Sequence, residues 1–140
     1  MKHLGIDLGT KTIGLAVSDR LGIIASPYQL IKYQETQQAI DEVLRVIAKE
    51  KIEVIVLGLP KNMNNSLGPA AERSRDFKAR LSLVCSLPIR LVDERLSTVE
   101  AEKLLINDGV SRAKRKKVID GMSASIILDT YLRKEERENG

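Results

Sequence analysis

Cysteine and histidine, which form disulfides or often act as nucleophiles and bases, are almost absent from the sequence. Its 140 residues include one cysteine, Cys85, and one histidine, His3. A single cysteine cannot form an internal disulfide, and Cys85 has no plausible histidine partner for nucleophilic catalysis. A single histidine also excludes mechanisms that need two of them. Any catalysis must therefore use other residue types.

Aromatic residues and long apolar runs are scarce as well. There is no tryptophan, and aromatic residues make up 3% of the sequence, so base stacking would contribute little to nucleic-acid binding. The longest apolar run, around residues 54–59, is far shorter than the roughly 20 residues that cross a bilayer. The amino end carries no secretion signal. We therefore expect a cytoplasmic protein without a membrane partner, and the single cysteine agrees with a reducing compartment.

Positive charge, in contrast, is in excess and clustered. Lysine and arginine number 23 against 19 acidic residues, which gives a net charge of +4. The densest cluster consists of Arg112, Lys114, Arg115, Lys116 and Lys117. Such a cluster is typical of a surface that binds a polyanion, although the solvated start of a helix would have the same composition. The length and the hydrophobic content of 43% predict one domain, residues 1–140, around a single core.

Apolar alternation predicts that the chain begins with three strands. A first strand ends at Leu8 and a second covers Ile13–Val17, and Gly9 between them is expected to have the positive φ of a tight reversal. A third strand, Ile23–Ile31, is expected at a sheet edge because Pro27 lacks an N–H group. Strands that follow one another in this way form an antiparallel meander.

Helices and strands alternate in the rest of the chain. Thr36 is expected to cap a helix that ends near Lys51. The apolar face of this helix is predicted to consist of Ile40, Val43, Leu44 and Ile47. The apolar run 52–58 is typical of a buried strand that pairs in parallel with the first. The remaining predicted elements are a helix over 69–85, a strand over 89–92, and helices over 98–108 and 112–137.

Three acidic residues fall where these elements are expected to meet. Asp7 lies inside the first strand, where an unpaired carboxylate would be costly. Glu94 directly follows the last predicted strand, and Asp120 heads the apolar stripe of the last helix, which continues at Ala124. Functional sites gather where the strands of an open α/β sheet end. We therefore expect the three carboxylates to converge and to need cations that offset their repulsion.

Oxygen ligands of this kind favour Mg²⁺ or Mn²⁺ over zinc. Two such ions, about 3.5–4 Å apart, could activate a water molecule and stabilise the leaving oxygen of a phosphodiester. Other interpretations stay open for each acid. Asp7 could stabilise the turn. Glu94 could pair with Arg95 or Arg90, with Asp93 as the ligand in its place. Asp120 could be neutralised by Lys116 or Lys117.

Four blocks of the sequence, in this order, resemble the RuvX (YqgF) family: DLGTKTIGLAVSD, GLPKNMNNSLGP, DERLST and IDGMSASIIL. The resemblance implies an α/β fold of the ribonuclease H-like type, with a mixed five-stranded sheet, its first three strands antiparallel, flanked by helices. It also implies metal-dependent phosphodiester cleavage, with Asp7, Glu94 and Asp120 as catalytic residues and as ligands of Mg²⁺ or Mn²⁺. The role assigned to the family is processing of the 5′ end of precursor 16S ribosomal RNA, and resolution of Holliday junctions in DNA is the alternative.

The predicted substrate contacts are basic or amide side chains near these blocks. They are Lys11, Asn62, Asn64, Arg73, Arg95, Arg112, Lys114, Arg115, Lys116 and Lys117. RNA is the favoured partner, structured DNA is the second, and pre-ribosomal particles are a further expected partner. A non-catalytic ribosome-assembly factor is one rival interpretation. The other is an ATPase, since GIDLGT also resembles the phosphate-binding hairpin of actin-like ATPases, which need a second related domain that this chain has no room for.

Overall fold

The computed structural model describes residues 1–60, 68–93 and 123–135. The described elements, in chain order, are β1 (His3–Leu8), β2 (Thr12–Ser18), β3 (Ala25–Lys32), α1 (Thr36–Glu50), β4 (Val54–Leu59), α2 (Pro69–Val84), β5 (Ile89–Asp93) and the helical residues 123–135, named α3. The predicted helix over 98–108 and the first part of the helix over 112–137 lie outside the described residues. In the described part of the chain, no helix is both long and apolar enough to cross a membrane.

The strands form one mixed sheet in the order β3-β2-β1-β4-β5. β1 pairs with β2 and β2 with β3 in antiparallel fashion, whereas β1 pairs with β4 and β4 with β5 in parallel. The predicted five-stranded sheet with three antiparallel strands at its start is confirmed. Because β1, β4 and β5 are parallel, their carboxyl ends lie at the same edge of the sheet, which we call the carboxyl edge.

Helices cover both faces of the sheet. The core of one face includes Leu4, Ile6 and Leu8 of β1 and the buried side of α1 and α2; we call it the α1/α2 face. The opposite face, the α3 face, has a smaller core formed by Ala16, Val56, Ala124, Ile127, Leu128 and Leu132. Successive side chains of a strand point to opposite faces. Asp7 therefore belongs to the α3 face, between two residues that belong to the other.

α3 lies unusually close to β1. A Cβ atom added to Gly5 would be 2.8 Å from the carbonyl oxygen of Ala124 and 2.8 Å from the Cβ atom of Leu128. Gly5, which has no side chain, leaves the space for this approach. At the amino end of β1, the His3 Nε2 atom is 3.6 Å from a carboxylate oxygen of Glu135. Residues later in β1 thus contact residues earlier in α3, so α3 runs antiparallel to β1.

The turn between β1 and β2 differs from the prediction in its backbone. Gly9 does not have a positive φ, and Gly22, at φ 70°, is the one glycine of the described residues that does. The Gly9 N–H donates to the Thr12 carbonyl oxygen at 2.8 Å. A Cβ atom at Gly9 would be 3.0 Å from that same oxygen. Crowding, rather than a left-handed backbone, therefore accounts for the glycine.

The start of α1 also differs from the prediction. Thr36 is the first helical residue, and Glu35 occupies the cap position. The side-chain oxygen of Gln38 accepts hydrogen bonds from the backbone N–H groups of Glu35, at 3.0 Å, and Gln34, at 2.7 Å. The buried face is rotated slightly as well, because Val46 is fully buried whereas Ile47 only packs against the core.

β3 is an edge strand, as Pro27 indicated, but it begins at Ala25 rather than Ile23. The pairs Leu15↔Gln29 and Ala16↔Pro27 leave Tyr28 as an extra residue, so the strand carries a bulge. Ile23 and its neighbour Ile24 belong instead to the preceding turn. Their N–H groups donate to one carboxylate oxygen of Asp19, at 2.7 Å and 3.0 Å.

Candidate active site

Asp7 lies next to the last residue of β1, at the carboxyl edge of the sheet, and is half-buried. Ile6 and Leu8 on either side of it are buried in the core of the α1/α2 face. This alternation directs Asp7 to the α3 face, where it has access to solvent. The strand that carries it is fixed by β2 on one side and β4 on the other. A carboxylate is thus held in a rigid part of the sheet rather than in a loop.

The positions beside Asp7 in the sheet are glycines. Gly14 of β2 is its antiparallel partner. In β4, Leu57 is the partner of Ile6, so the same register continued by one residue puts Gly58 beside Asp7. Gly58 in turn pairs with Val92 of β5. On the α3 face, the positions of β2 and β4 beside the Asp7 carboxylate therefore have no side chain, and this leaves room for a ligand.

The space at Gly14 is not required by packing. An added Cβ atom would be 3.7 Å from the Cβ atom of Ala124, 3.8 Å from that of Asp7 and 3.8 Å from a methyl carbon of Leu30. These are ordinary van der Waals distances, and Gly14 does not have a positive φ. Alanine would therefore fit, so neither backbone conformation nor steric conflict explains the glycine.

Asp93, which the sequence left open as a ligand, ends β5 and pairs with Leu59. Val92 packs with the core of the α3 face, so the alternation along β5 assigns Asp93 to the opposite face from Asp7. The two carboxylates reach the same edge of the sheet from different sides. This arrangement does not favour Asp93 as a partner of Asp7.

Two predicted substrate contacts lie at the carboxyl edge. Lys11 is exposed in the turn between β1 and β2. Arg73 is half-buried near the start of α2, and its positive charge acts on the hydroxyl group of Tyr33. Burial raises the pKa of Tyr33, and the charge of Arg73 lowers it in part. Tyr33 also bonds to the turn that carries Lys11, so the structure brings these three residues to one place.

Tyr33 was not among the predicted site residues. Its sequence position, directly after a strand, is typical of many buried aromatic residues that only fill a core. Its link to the turn depends on a contact between residues far apart in the sequence, and alternation within one segment carries no signal of such a contact.

The other predicted site residues lie outside the described part of the chain. They are Glu94, Asp120, Asn62, Asn64, Arg95, Arg112, Lys114, Arg115, Lys116 and Lys117. Among residues 1–60, 68–93 and 123–135, no group of three or more histidine, cysteine, aspartate or glutamate side chains is placed to hold a metal ion. The convergence of Asp7 with Glu94 and Asp120 stays a prediction.

His3 lies at the opposite edge of the sheet from this site. Its Nδ1 atom is 2.9 Å from the carbonyl oxygen of Met1, and its ring centroid is 5.8 Å from that of Tyr131. It lines a cleft of about 320 Å³ together with Gly22 and Leu132. The only histidine is thus remote from Asp7, in agreement with a reaction that does not use histidine.

Comparison with known sequences identifies the family. The sequence model of the RuvX family, described as Holliday junction resolvase, matches residues 1–134. A protein from Clostridium kluyveri is 48% identical over 132 residues, which cover 94% of this chain and 96% of that protein. A protein from Oenococcus oeni is 47% identical over 140 residues, with 98% and 97% covered. Both relatives are named as candidate pre-16S rRNA nucleases.

Comparison with solved structures identifies the fold. RuvC from Thermus thermophilus, in complex with a Holliday junction substrate, aligns with a TM-score of 0.59 at 17% identity over 95% of each chain. The Holliday junction resolvase of fowlpox virus aligns with a TM-score of 0.54 at 14% identity, over 96% of this chain and 99% of the resolvase. At such identities the similarity concerns the fold alone, and it confirms the ribonuclease H-like prediction. Together with the family match and relatives that share nearly half of its residues, it shows that this chain belongs to the RuvX family of resolvase-like nucleases.

Proposed function

We propose that this protein is a metal-dependent nuclease that hydrolyses phosphodiester bonds at the 5′ end of precursor 16S ribosomal RNA. The names of its relatives suggest the substrate. The observation that carries the reaction is the position of Asp7, a half-buried carboxylate at the carboxyl edge, with Gly14 as its partner in β2 and Gly58 next in the register of β4. A structural aspartate would not need that space, whereas a metal ion and a phosphate would.

The residues fit a hard divalent cation. Asp7, Glu94 and Asp120 are the proposed ligands, and their carboxylate oxygens suit Mg²⁺ or Mn²⁺. When bound, a pair of such ions supplies an activated water molecule and stabilises the leaving oxygen of the phosphodiester. The rigid strand keeps the Asp7 carboxylate in place through the reaction. Such preorganisation lowers the cost of bringing the reacting groups together.

The direction of α3 supports Asp120 as a partner. Glu135 and Tyr131 contact His3. Ala124, which lies earlier in the helix, contacts Gly5 and approaches Gly14. Asp120 precedes Ala124 by four residues in the sequence. A helix extended by that one turn would carry Asp120 toward Asp7, since residues four apart share a helix face.

The alternation along β5 supports Glu94 rather than Asp93. Val92 packs on the α3 face. Residue 94 is two positions further on, so a continued strand would put it on that same face. We therefore assign the ligand role to Glu94. Lys11 and Arg73 are assigned to phosphates on either side of the scissile bond, because Lys and Arg are the usual phosphate contacts of nucleic-acid-binding proteins. The amide side chains Asn62 and Asn64, Arg95 and the basic cluster 112–117 would hold the flanking substrate.

A cleavage assay tests the proposal. The purified protein is incubated in Mg²⁺ or Mn²⁺ with RNA that carries the precursor 5′ extension, and Asp7→Asn is compared with the parent. The variant should lose cutting by about a hundredfold or more while it stays folded. Asp41→Asn is a matched control, since Asp41 is exposed on α1 and accepts a hydrogen bond from Gln37 at 2.9 Å. Equal cleavage by Asp7→Asn and the parent would refute the assignment.

Resolution of four-way DNA junctions is the second candidate function. The family description and the similarity of fold to RuvC favour it. A labelled four-way junction and single-stranded DNA of matched length therefore belong in the same assay. Preferential cutting of the junction would identify DNA rather than RNA as the substrate, and the role of Asp7 would be the same.

A further inference from the structure

Tyr33 holds the turn that follows Asp7 by two hydrogen bonds. Its hydroxyl group donates to the carbonyl oxygen of Gly9. Its backbone N–H donates to the carbonyl oxygen of Lys11 at 2.9 Å. The residue is only 9% exposed and belongs to the core of the α1/α2 face. The Tyr33 side chain, which is fixed by packing, thus anchors the Gly9 side of the turn, and the Tyr33 backbone anchors the Lys11 side.

These bonds set the direction of the peptide groups in the turn. No described peptide bond is cis, and in a trans peptide the N–H points away from the C=O of the same group. Because the Gly9 carbonyl is directed at Tyr33 in the core, the N–H of Thr10 is directed outward. Thr10 and Lys11 are both exposed. The turn therefore presents a backbone N–H and an ammonium group at the carboxyl edge, and both types of group bind phosphate oxygens.

Without the Tyr33 hydroxyl group this arrangement would be weakly determined. The hydrogen bond from Gly9 N–H to Thr12 closes the hairpin at 2.8 Å, but it does not engage the Gly9 carbonyl. Glycine has the widest choice of backbone conformation of any residue. The Gly9–Thr10 peptide could then rotate, and Lys11 would be fixed on one side alone, by the bond between its carbonyl oxygen and the Tyr33 N–H.

We propose that Tyr33 is a positioning residue for the nucleic-acid substrate. By fixing the turn, it holds the Lys11 ammonium group and the Thr10 N–H where they bind a phosphate beside the scissile bond. Tyr33 itself contacts neither substrate nor metal. This inference rests on the proposed function, since it assumes that a phosphodiester backbone passes over Asp7.

Tyr33→Phe removes the hydroxyl group and keeps both the ring and the backbone bond to Lys11. Binding of a 5′-labelled RNA with the precursor extension is measured in EDTA, which prevents cleavage, over a series of salt concentrations. Lys11→Gln should reduce the slope of log K against log salt by about one. Tyr33→Phe should weaken binding about threefold to tenfold, the range for one lost hydrogen bond, and reduce the slope in the same direction.

The double variant is the decisive measurement. If Tyr33 acts through Lys11, Tyr33→Phe should weaken binding less in the Lys11→Gln background than in the parent, and what remains should be the part that depends on the Thr10 N–H. A merely structural role would lower the melting temperature without changing the salt slope of the folded protein. Tyr28→Phe is the matched control, because Tyr28 packs against the same core but lies opposite Leu15 and Ala16, away from the turn. It should leave affinity and slope unchanged.

The outcomes separate this inference from the proposed function. Additive effects of the two substitutions, or an unchanged slope in Tyr33→Phe, overturn the positioning role even if the parent cuts RNA in Mg²⁺. Failure of the parent to cut any nucleic acid overturns the proposed function, and the binding cycle still reports whether Tyr33 acts through Lys11.

Discussion

Asp7 and Gly14 are direct partners across the β1–β2 hairpin, and the Cβ atom that Gly14 lacks would lie 3.8 Å from the Cβ atom of Asp7. On this face of the sheet, the position beside the Asp7 carboxylate therefore has no side chain. Since the fold has room for a methyl group there, the empty position is best explained by what must approach Asp7.

Gly14→Ala should therefore separate stability from activity. The free energy of unfolding should stay the same or rise by about 0.4–1 kcal/mol, because alanine restricts the unfolded chain and meets only ordinary contacts. The turnover of the metal-loaded protein should fall on the order of tenfold to a hundredfold, because displacement of a reacting group by about 1 Å has effects of that size. Urea unfolding and the cleavage assay measure the two quantities. Full activity in this variant would show that the space beside Asp7 is not used.

Gly5→Ala provides the opposite case on the same strand. Its Cβ atom would lie 2.8 Å from the backbone oxygen of Ala124, so α3 would have to shift. Overpacking of this kind costs about 1–3 kcal/mol. Urea unfolding should show this loss. A variant as stable as the parent would mean that the contact between β1 and α3 is looser than these distances indicate.

Asp19 should make stability depend on pH. The N–H groups of Ile24 and Ile23 donate to its carboxylate and lower the pKa of Asp19 from its ordinary value of 3.8. A folded-state pKa below the unfolded one means that the charged form stabilises the fold above about pH 4. This contribution is lost as the pH falls through the folded value. Asp19→Ala should accordingly be less stable than the parent at neutral pH, and the deficit should shrink near pH 3. Equal deficits at the two pH values in urea unfolding would contradict this explanation.

Ser74 is expected to be replaceable with a gain in stability. It is fully buried in α2, and its hydroxyl oxygen is the one buried side-chain polar atom of the described residues that has no hydrogen-bond partner. Ser74→Ala removes an unpaired polar group and improves helix propensity, so the free energy of unfolding should rise by about 0.5–1.5 kcal/mol. Ser82→Ala is the control, since Ser82 is exposed and donates to Lys78 at 2.8 Å. A loss of stability in Ser74→Ala beyond that of the control would reveal a partner for the hydroxyl group.

The parts of the fold that the sequence predicted are those governed by local periodicity. Alternation of apolar residues located β1 and β2, and the continuous apolar run of β4 indicated a strand buried on both faces, as observed. The apolar stripe that continues at Ala124 predicted the buried side of α3. In each case the signal and the structure depend on the same few consecutive residues.

The errors arose where neighbouring residues compete or where distant residues meet. Glu35 and Thr36 can both cap a helix, and Gln38 decided the outcome because its side chain reaches the N–H of Glu35. A positive φ was predicted for Gly9 because glycine has a free backbone, whereas crowding by the carbonyl oxygen of Thr12 explains why this position is a glycine. Tyr33 was missed because its partner lies 24 positions away in the sequence. Of the proposed catalytic carboxylates, the structure places Asp7 as expected at the carboxyl edge, and Glu94 and Asp120 stay predictions.

The close contact between α3 and β1 at Gly5 has a consequence for how variants of this protein would lose activity. At Gly5 the Ala124 backbone lies against the strand, so no flexible side chain at this point can absorb a gradual displacement of the helix. A shift of α3 would have to proceed in discrete steps from one seating to another, as packed interfaces are bistable rather than continuously deformable. A substitution that disturbs this contact would then produce a mixture of fully active and inactive molecules. Titration of active sites would show a reduced active fraction, while the Michaelis constant of that fraction stayed the same.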